Sequence, residues 1–242
     1  MKIGNKIVRL ASVDSTNNYI ANLVKEREIT SGTVVLADEQ FLGKGQRGSE
    51  WTTNAGENLT FSFFLDNVNL SVENQFILTQ LVSLSLIELL DKLNVKAKIK
   101  WPNDIYIDST KVAGVLIENQ LSFGQIKSSV IGIGLNVNQK KFDGFNATSL
   151  FLENEVHHSL MDILLSFIDS FNKVASQYSL NLTSKIKEEY LKNLYLFEQE
   201  AFFEDDNGRF TGRIFDVLPS GKILIAVNGF DREYDLKEIR FL

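Results

Sequence analysis

Apolar residues recur in short runs along the first half of the chain, and these runs predict strands. The segments 33–37 and 59–65 are strongly apolar, which is typical of strands that are buried in a sheet. A weaker alternation at 6–11 and β-prone residues at 97–101 and 125–138 predict further strands. Strands therefore outnumber helices in this part of the chain.

Apolar residues at helical spacing predict helices that pack on these strands. The longest stripe covers 72–93, and two more cover 162–177 and 184–195. The segment 14–17, Asp-Ser-Thr-Asn, offers side-chain acceptors for a helix start, and that helix is predicted to end at about Arg27. The pattern indicates an α+β fold with a mixed sheet and packed helices.

The pattern changes at about residue 197, where short strands separated by turn-forming residues begin. These strands are predicted at 201–203, 209–217, 223–227, 231–236 and 239–242. The intervening turns contain Asn-Gly, Ser-Gly and Asp-Asn-Gly sequences. No proline-rich linker separates the two parts, so we predict two packed domains, 1–196 and 197–242, the second a small β-barrel.

The segment 100–118 concentrates a stiff backbone and several charges in one predicted hairpin. Pro102 fixes its own φ and biases Trp101 toward extended conformations, so a strand is predicted to end there. Two β-prone runs follow, at 105–107 and 112–117, separated by residues that make local turn hydrogen bonds. The backbone is therefore expected to turn back on itself within this segment.

The register of this hairpin decides which of its side chains face a ligand. Pairing of Ile107 with Lys111 would place Asp104 opposite Gly114. Because a glycine inside a strand often marks a close approach of a ligand, the carboxylate would then face open space. A solvated hairpin whose charges only keep it soluble explains the same residues, and the segment alone leaves both interpretations open.

A loop after residue 40 alternates glycines with polar and basic residues: Gly43, Lys44, Gly45, Gln46, Arg47 and Gly48. Glycines free backbone N–H groups to converge on an anion, and cationic side chains neutralise its charge. The loop therefore suits a phosphate or a carboxylate, and a mobile exposed connection is the alternative. Gly132 and Gly134 likewise permit either a flat ligand on the sheet or tight packing.

Composition excludes several classes of protein. The 242 residues, 44% of them hydrophobic, suffice for one sizeable core and a small second unit. The N-terminal segment lacks the apolar centre of a signal peptide, and no run has membrane-spanning length, so a cytoplasmic location is expected. The absence of cysteine and the presence of only two, adjacent histidines argue against disulfides, metal clusters and a Ser-His-Asp triad.

The charge balance also limits the partners. Twenty-five basic residues against 31 acidic residues give a net charge of −6, which argues against extended contact with nucleic acid. A local basic pocket for a small anion is still expected, because a few placed residues suffice to form one.

Four stretches, in this order, resemble biotin protein ligases: DSTN at 14–17, QFLGKGQRG at 40–48, KWPNDIY with KVAG at 100–114, and GIGLNVN at 132–138. ATSL at 147–150 and the closing β-strands are similar too. The resemblance implies a catalytic domain followed by an SH3-like β-barrel. Many relatives carry an N-terminal DNA-binding repressor domain, but DSTN begins at residue 14 here, so DNA binding is not expected.

The resemblance implies an ATP-dependent, two-step activity. Biotin and ATP would form biotinyl-5'-AMP, and a lysine of a biotin carboxyl carrier domain, part of a biotin-dependent carboxylase, would then receive the biotin. ATP would be accompanied by Mg²⁺, held near Asp104 and not by a dedicated protein cluster. A monomer or weak homodimer is expected, with no membrane partner.

The resemblance also implies roles for individual residues. Biotin would be bound by Ser15, Thr16, Asn17, Gln40, Gly43, Lys44, Gly45, Gln46, Lys111 and Gly114. ATP would be bound by Lys44, Arg47, Trp51, Lys100, Asn103 and Asn136. Catalysis would depend on Lys111, Asp104 and Asn103. The alternatives are a lipoate or octanoyl ligase or transferase, and a non-catalytic biotin-binding regulator.

The glycine-rich loop departs from the pattern G-R-G-R-x-G of this family, with Lys44 at its first arginine and Gln46 at its second. An amide cannot offset a phosphate charge, and a charge-assisted hydrogen bond is about twice as strong as a neutral one. We predict that the protein releases some biotinyl-adenylate, which labels bystander lysines, and that Gln46→Arg suppresses this labelling while preserving carrier labelling. Mass spectrometry of an inert bystander protein measures the effect.

Neighbouring Arg47 supplies the matched comparison for this prediction. If its guanidinium replaces the missing charge, Arg47→Ala increases bystander labelling more than any change at Gln46. Equal and negligible labelling by the wild type and both variants would contradict both versions and make Lys44 the next residue to test.

Overall fold

In this computed structural model, the chain forms a seven-stranded sheet with helices packed on it and a smaller five-stranded sheet. The structure describes residues 1–178 and 183–242, with Arg47 described through its backbone alone. The predicted α+β class is confirmed.

The large sheet is mixed. Its strands are β1 (Lys6–Val13), β2 (Thr33–Gln40), β3 (Leu59–Ser71), β4 (Lys98–Lys100), β5 (Asp104–Ile107), β6 (Thr110–Ser122) and β7 (Gln125–Leu135). They lie in the order β1-β2-β3-β7-β6-β5-β4, with β1 and β2 parallel and the other neighbours antiparallel. The apolar residues 59–65 of β3 therefore occupy the middle of the sheet, where they are buried.

The helices largely follow the predicted stripes: α1 (Thr16–Glu26), α2 (Phe76–Lys92), α3 (Leu150–Asn154), α4 (Leu160–Gln177) and α5 (Thr183–Lys192). α2 starts later than predicted because Val72–Asn74 forms a separate 3₁₀ turn. α4 starts two residues earlier than predicted, where Ser159 Oγ accepts a hydrogen bond from Asp162 N at 3.4 Å. Within the described residues, no helix combines the length and hydrophobicity that a membrane crossing requires.

The predicted helix 184–195 is wrong at its end. α5 ends at Lys192, and the next residues form a turn that pairs with β4 through a single bridge between Leu194 and Ile99. Ile99 N donates to Asn193 O at 2.8 Å, and Tyr195 N donates to Ile99 O at 2.8 Å. An open sheet edge exposes unpaired backbone groups, so this short segment satisfies the edge of β4, a tertiary demand that overrides the helical pattern.

The core lies between the sheet and α2 and α4, and aromatic rings form its centre. Phe167 of α4 packs edge-on against Phe61 of β3, with ring centroids 5.1 Å apart, and Phe171 packs on Phe63 in the same way at 5.0 Å. All four side chains are buried. Edge-to-face pairs of this kind stabilise a core beyond simple area burial, so α4 is firmly held on the strand that runs beneath the site.

The C-terminal strands form the antiparallel five-stranded sheet. They are β8 (Glu200–Asp205), β9 (Gly208–Val217), β10 (Ile223–Val227), β11 (Phe230–Tyr234) and β12 (Arg240–Phe241), in the order β11-β10-β9-β8-β12. Each predicted strand is present, the last one shorter than expected. Trp101 Nε1 donates to Gly221 O at 2.7 Å, so this sheet contacts the turn before β5. The domain limits 1–196 and 197–242 stay a prediction.

The hairpin register is partly confirmed. Asp104 pairs with Gly114 as predicted, but Ile107 pairs with Thr110 and not with Lys111. A β-bulge between Ile105 and Tyr106 reconciles the two ends, because one extra residue of β6 is accommodated there. The turn is therefore one residue tighter than predicted, and the bulge restores the predicted pairing at the functional end.

Candidate active site

A cavity of about 280 Å³ lies where the hairpin of β5 and β6, the start of α1 and the glycine-rich loop meet. Many predicted site residues line it: Ser15, Thr16, Asn17, Gln40, Lys44, Gly45, Gln46, Trp51, Asn103, Asp104, Lys111 and Gly114. Among the described residues, Gly43, Lys100 and Asn136 lie outside its lining. The side chain of Arg47 lies outside the described part of the chain.

One wall of the cavity is a buried polar set from the start of α1 and the end of β2. Thr16 and Asn17 are 2% and 3% exposed. Gln40 Oε1 accepts two hydrogen bonds from Thr16, at 2.7 Å from the backbone N–H and at 2.9 Å from the hydroxyl. The parallel pairing of Val13 with Gln40 places the end of β2 beside this helix start. The set therefore follows from the β1-α1-β2 connection.

Two residues that the sequence analysis missed complete this set. Ser62 Oγ donates to Asn17 Oδ1 at 2.6 Å and lies 2.6 Å from Thr16 Oγ1, while Glu118 Oε2 accepts from Asn17 Nδ2 at 2.7 Å. The only signal for Ser62 is a hydroxyl within the apolar run 59–65. Nothing local marks Glu118, because it is brought to Asn17 by the order of the strands in the sheet.

The opposite wall carries an ion pair. Lys111 Nζ lies 2.7 Å from Asp104 Oδ1, and the side chains are 30% and 28% exposed. The same ammonium lies 5.6 Å from the ring centroid of Trp51. A Cβ at Gly114 would lie 3.0 Å from Lys111 Nζ, so this glycine leaves room for the pair. The cavity thus holds a cation and a carboxylate side by side.

The side-chain amides of Asn103 and Asn136 donate hydrogen bonds to backbone carbonyl groups and so stabilise this wall. Asn103 Nδ2 donates to Val115 O, and Val115 N donates to Asn103 O at 3.2 Å. Asn136, which is buried, donates from Nδ2 to Thr148 O at 3.0 Å. Asn103 still lines the cavity, whereas the Asn136 amino group is directed at the backbone, and its predicted contact with adenine stays a prediction.

The glycine-rich loop folds over the cavity. Gly45 N donates to Ser49 O at 2.7 Å, and Trp51 N donates to Gly43 O at 3.0 Å, so the loop returns on itself. Lys44 Nζ donates to Asn18 Oδ1 at 2.7 Å. The loop is therefore a defined turn, and its first cation is directed at α1.

This position of Lys44 affects the start of α1. A hydrogen bond from Asn18 Nδ2, 2.6 Å from Asp14 Oδ2, is the main cause that lowers the pKa of Asp14, and the charge of Lys44 acts in the same direction. Lys44 thus helps to keep a carboxylate ionised at the edge of the site.

Two polar atoms in the covering loop are buried and have no hydrogen-bond partner within the described residues: Gln46 Oε1 and Trp51 Nε1. Buried polar atoms are normally paired, and unpaired ones at a cavity indicate groups that a ligand can satisfy. The Trp51 indole packs directly on Gly134, where a Cβ would overlap the ring. Gly132 makes similar room for the Asn17 amide, so tight packing by site residues explains both glycines.

Lys100 lies at the junction with the C-terminal sheet. Its Nζ is 3.2 Å from Tyr106 Oη and 5.5 Å from the ring centroid of Phe241. Burial lowers the pKa of Lys100 and raises the pKa of Tyr106. The predicted contact of Lys100 with ATP stays a prediction. Leu236 and Lys237, also from the C-terminal part, line the cavity and were missed, because no local pattern connects residues so distant along the chain.

Comparison with known proteins identifies the family of this chain. Residues 10–138 match the model of the biotin/lipoate A/B protein ligase family, and the chain belongs to that family. It is 32% identical over 141 residues to the bifunctional ligase/repressor BirA of Escherichia coli, covering 58% of this chain and 43% of that protein. It is 35% identical over 136 residues to the biotin--[acetyl-CoA-carboxylase] ligase of Paracoccus denitrificans, covering 53% of each chain. The matched part thus spans about half of these relatives or less.

Solved structures extend the similarity to almost the whole chain. The biotin protein ligase of Aquifex aeolicus, in complex with biotin and ATP, is 26% identical, with a TM-score of 0.81, and the match covers 99% of this chain and 100% of that one. The resemblance to biotin protein ligases that the sequence motifs indicated is therefore confirmed, and it includes the C-terminal sheet.

The packing of Trp51 on Gly134 generates a prediction. We expect Gly134→Ala to displace the indole from the sheet, because the added methyl would overlap the ring. With Trp101→Phe as background, Trp51 is the only tryptophan, and its fluorescence emission should shift to longer wavelength. In the matched control, Gly134→Ala with Trp51→Phe, the emission of Trp101 should not change. An unshifted Trp51 emission would contradict this packing.

Proposed function

We propose that this protein is an ATP-dependent biotin protein ligase, which forms biotinyl-5'-AMP and transfers biotin to a lysine of a biotin carboxyl carrier domain. The observation that carries the proposal is the Lys111–Asp104 pair, which faces a buried polar set across one cavity. Membership of the family and the similarity to a ligase solved with biotin and ATP support it.

The buried polar set favours biotin over an aliphatic acyl group. Ser15, Thr16, Asn17 and Gln40 present hydroxyl and amide groups that the ureido ring of biotin can pair with. The alkyl chain of lipoate or octanoate offers these residues no hydrogen-bond partner, and each polar group that such a ligand buried without a partner would cost roughly 1–3 kcal/mol. The lipoate or octanoyl alternative is therefore disfavoured by the same residues that accommodate biotin.

The first step joins two anions. The carboxylate oxygen of biotin attacks the α-phosphorus of ATP, a P–O bond forms, and pyrophosphate leaves with the electron pair of the broken P–O bond. Lys111, at the cavity surface beside Asp104, would offset the charge of both reactants, and Trp51 would limit the access of water. The backbone N–H groups of the loop and Lys44 would bind the phosphates.

Mg²⁺ would accompany ATP. Among the described residues, no three acidic or histidine side chains gather as a metal-binding group. The ion would take one or two carboxylates and complete its shell with phosphate oxygens and water. Asp104 is the carboxylate that would hold it, and the ion would supply further charge neutralisation.

The second step releases AMP. The amine of the acceptor lysine attacks the acyl carbon, the bond from that carbon to the phosphate oxygen breaks, and the amine loses a proton. Asp104 and Asn103 would orient this amine, because they lie at the same wall of the cavity. The acceptor would be the carrier domain of a biotin-dependent carboxylase, the partner that the relatives' name biotin--[acetyl-CoA-carboxylase] ligase indicates for them.

Composition and the resemblance to biotin protein ligases support a proposal for the setting of this activity. We place the enzyme in the cytoplasm, as a monomer or weak homodimer that does not bind DNA, since a net charge of −6 opposes phosphate contacts. A non-catalytic biotin regulator is disfavoured, because the carboxylate of Asp104 beside Lys111 would repel the carboxylate of biotin and is better explained by a role in the reaction.

The proposal predicts ATP-dependent labelling of a carrier domain. Incubation with biotin and ATP should add one biotin to a single carrier lysine, as measured by intact-mass spectrometry. Lipoate in place of biotin should give no labelling, and omission of ATP should abolish labelling. Modification by lipoate but not by biotin would overturn the assignment.

Lys111→Ala should leave the fold intact but slow adenylate formation by roughly 10²–10³-fold, the range found when one stabilising group is removed from a dry site. Biotin-dependent release of pyrophosphate measures this step. The exposed Lys127 of β7 provides the control, because Lys127→Ala removes the same charge away from the cavity and should leave the rate unchanged. An unchanged rate for Lys111→Ala would remove this residue from the mechanism.

A further inference from the structure

Four side chains, three in the cavity wall and one behind it, form a row of hydrogen-bond contacts. In order, Gln40 Oε1 lies 2.9 Å from Thr16 Oγ1, Thr16 Oγ1 lies 2.6 Å from Ser62 Oγ, and Ser62 Oγ lies 2.6 Å from Asn17 Oδ1. Both ends of the row are carbonyl oxygens, which only accept. The three contacts therefore share the two hydroxyl protons of Thr16 and Ser62, and one contact has no proton.

Rotating one terminal amide, so that its oxygen and its NH₂ group exchange places, would supply the missing proton. We call this a reversed amide. Gln40 cannot reverse without losing the backbone N–H of Thr16, which donates to Oε1 at 2.7 Å. Asn17 could reverse: its Nδ2 would then donate to Ser62, Ser62 to Thr16, and Thr16 to Gln40, and every contact would have a proton. The row by itself thus favours the reversed Asn17 amide.

Glu118 opposes this reversal. Its Oε2 accepts a hydrogen bond from Asn17 Nδ2 at 2.7 Å, and a carboxylate has no proton to donate to a carbonyl oxygen. In the reversed orientation, Asn17 Oδ1 would face this carboxylate, oxygen against oxygen. A hydrogen bond to a charged acceptor is stronger than a neutral one, so the orientation seen in the structure is held by Glu118 against the preference of the hydroxyl row.

The orientation matters because it decides what the cavity offers to a ligand. Asn17 Oδ1 lies directly over Gly132, and both residues line the cavity. The amide therefore presents an acceptor at the cavity floor, which suits an N–H group of the ligand. A reversed amide would present a donor at the same place, and the N–H of the ligand would then face the N–H of Asn17.

We propose that Glu118 is a positioning residue for substrate recognition: it holds the Asn17 amide so that the site accepts an N–H donor. The proposal rests on the proposed function in one respect, since the N–H donor is then a ureido N–H of biotin. Glu118 acts through Asn17, at the outer surface of β6, and is assigned no contact with the reacting atoms.

The test is biotin binding without ATP, measured by calorimetry on the whole protein. Glu118→Ala should weaken biotin binding by roughly tenfold or more, since a buried N–H of the ligand loses its acceptor. Glu118→Gln should weaken biotin binding as Glu118→Ala does, because its amide can donate to Asn17 Oδ1 and so no longer opposes the reversal. Gln120→Ala, two residues along the same strand, is the matched control and should bind as the wild type does.

Stability and a double variant separate positioning from packing. Thermal unfolding of Glu118→Ala should occur no lower than that of Gln120→Ala, because the reversed amide completes the hydroxyl row. Ser62→Ala removes the reason for reversal, so the double variant Ser62→Ala/Glu118→Ala should bind biotin more tightly than Glu118→Ala alone. This recovery is an outcome that a merely structural role of Glu118 cannot produce.

Two results would overturn the proposal. One is wild-type biotin affinity in Glu118→Ala. The other is a combination of three results: Glu118→Ala binds biotin more weakly than the wild type, it unfolds at a lower temperature than Gln120→Ala, and the double variant shows no recovery of biotin binding. If the wild-type protein does not bind biotin, the proposed function fails, and the unfolding comparison alone then decides for or against the Asn17 orientation.

Discussion

The attraction between Lys111 and Asp104 organises one wall of the cavity, and it depends on how two short strands pair. Asp104 begins β5 and pairs with Gly114, while Lys111 lies three residues earlier on β6, so their side chains meet only because a bulge brings the strands back into register. The glycine leaves room for the pair. A charged pair in a cavity of about 280 Å³ experiences a lower effective dielectric than one on the surface, which makes its placement consequential.

The other wall obeys a different constraint, the need to satisfy buried polar groups. The start of α1 buries Ser15, Thr16 and Asn17 almost completely. Their partners come from β2, β3 and β6, so the polar set is spread over most of the width of the sheet. Such a network specifies one arrangement when every member is paired, and here a carboxylate at its outer end selects between two arrangements.

The C-terminal sheet belongs to the site as much as to the fold. Trp101, which lines the cavity, donates to Gly221 O, and Lys100 lies near the ring of Phe241. Tyr190 Oη donates to Pro102 O at 3.1 Å from the other side, and burial raises the pKa of this tyrosine, which keeps its proton in place. The turn that carries Asn103 and Asp104 is thus held from several directions.

The sequence by itself determined the fold class and the order of most helices and strands, because those depend on local periodicity. The resemblance carried by compact motifs such as KWPND with KVAG indicated about half of the residues that line the cavity. Pro102 and the β-prone runs were enough to indicate the hairpin, but counting residues gave the correct partner for Asp104 only because a bulge offsets the error of one residue at the turn. The strands, the helices and the hairpin depend on residues within a few positions of one another, because chain stiffness and side-chain spacing determine local backbone conformation.

Only the tertiary structure decided which distant groups complete the site. Residues 193–195 left the helical pattern to cover the edge of β4, and the bulge in β6 moved the turn by one residue. Ser62 and Glu118 reached Asn17 through strand order, and Leu236 and Lys237 reached the cavity from the far end of the chain. Such contacts arise from the closing of sheet edges and the pairing of buried polar groups, demands that no local stretch of sequence expresses.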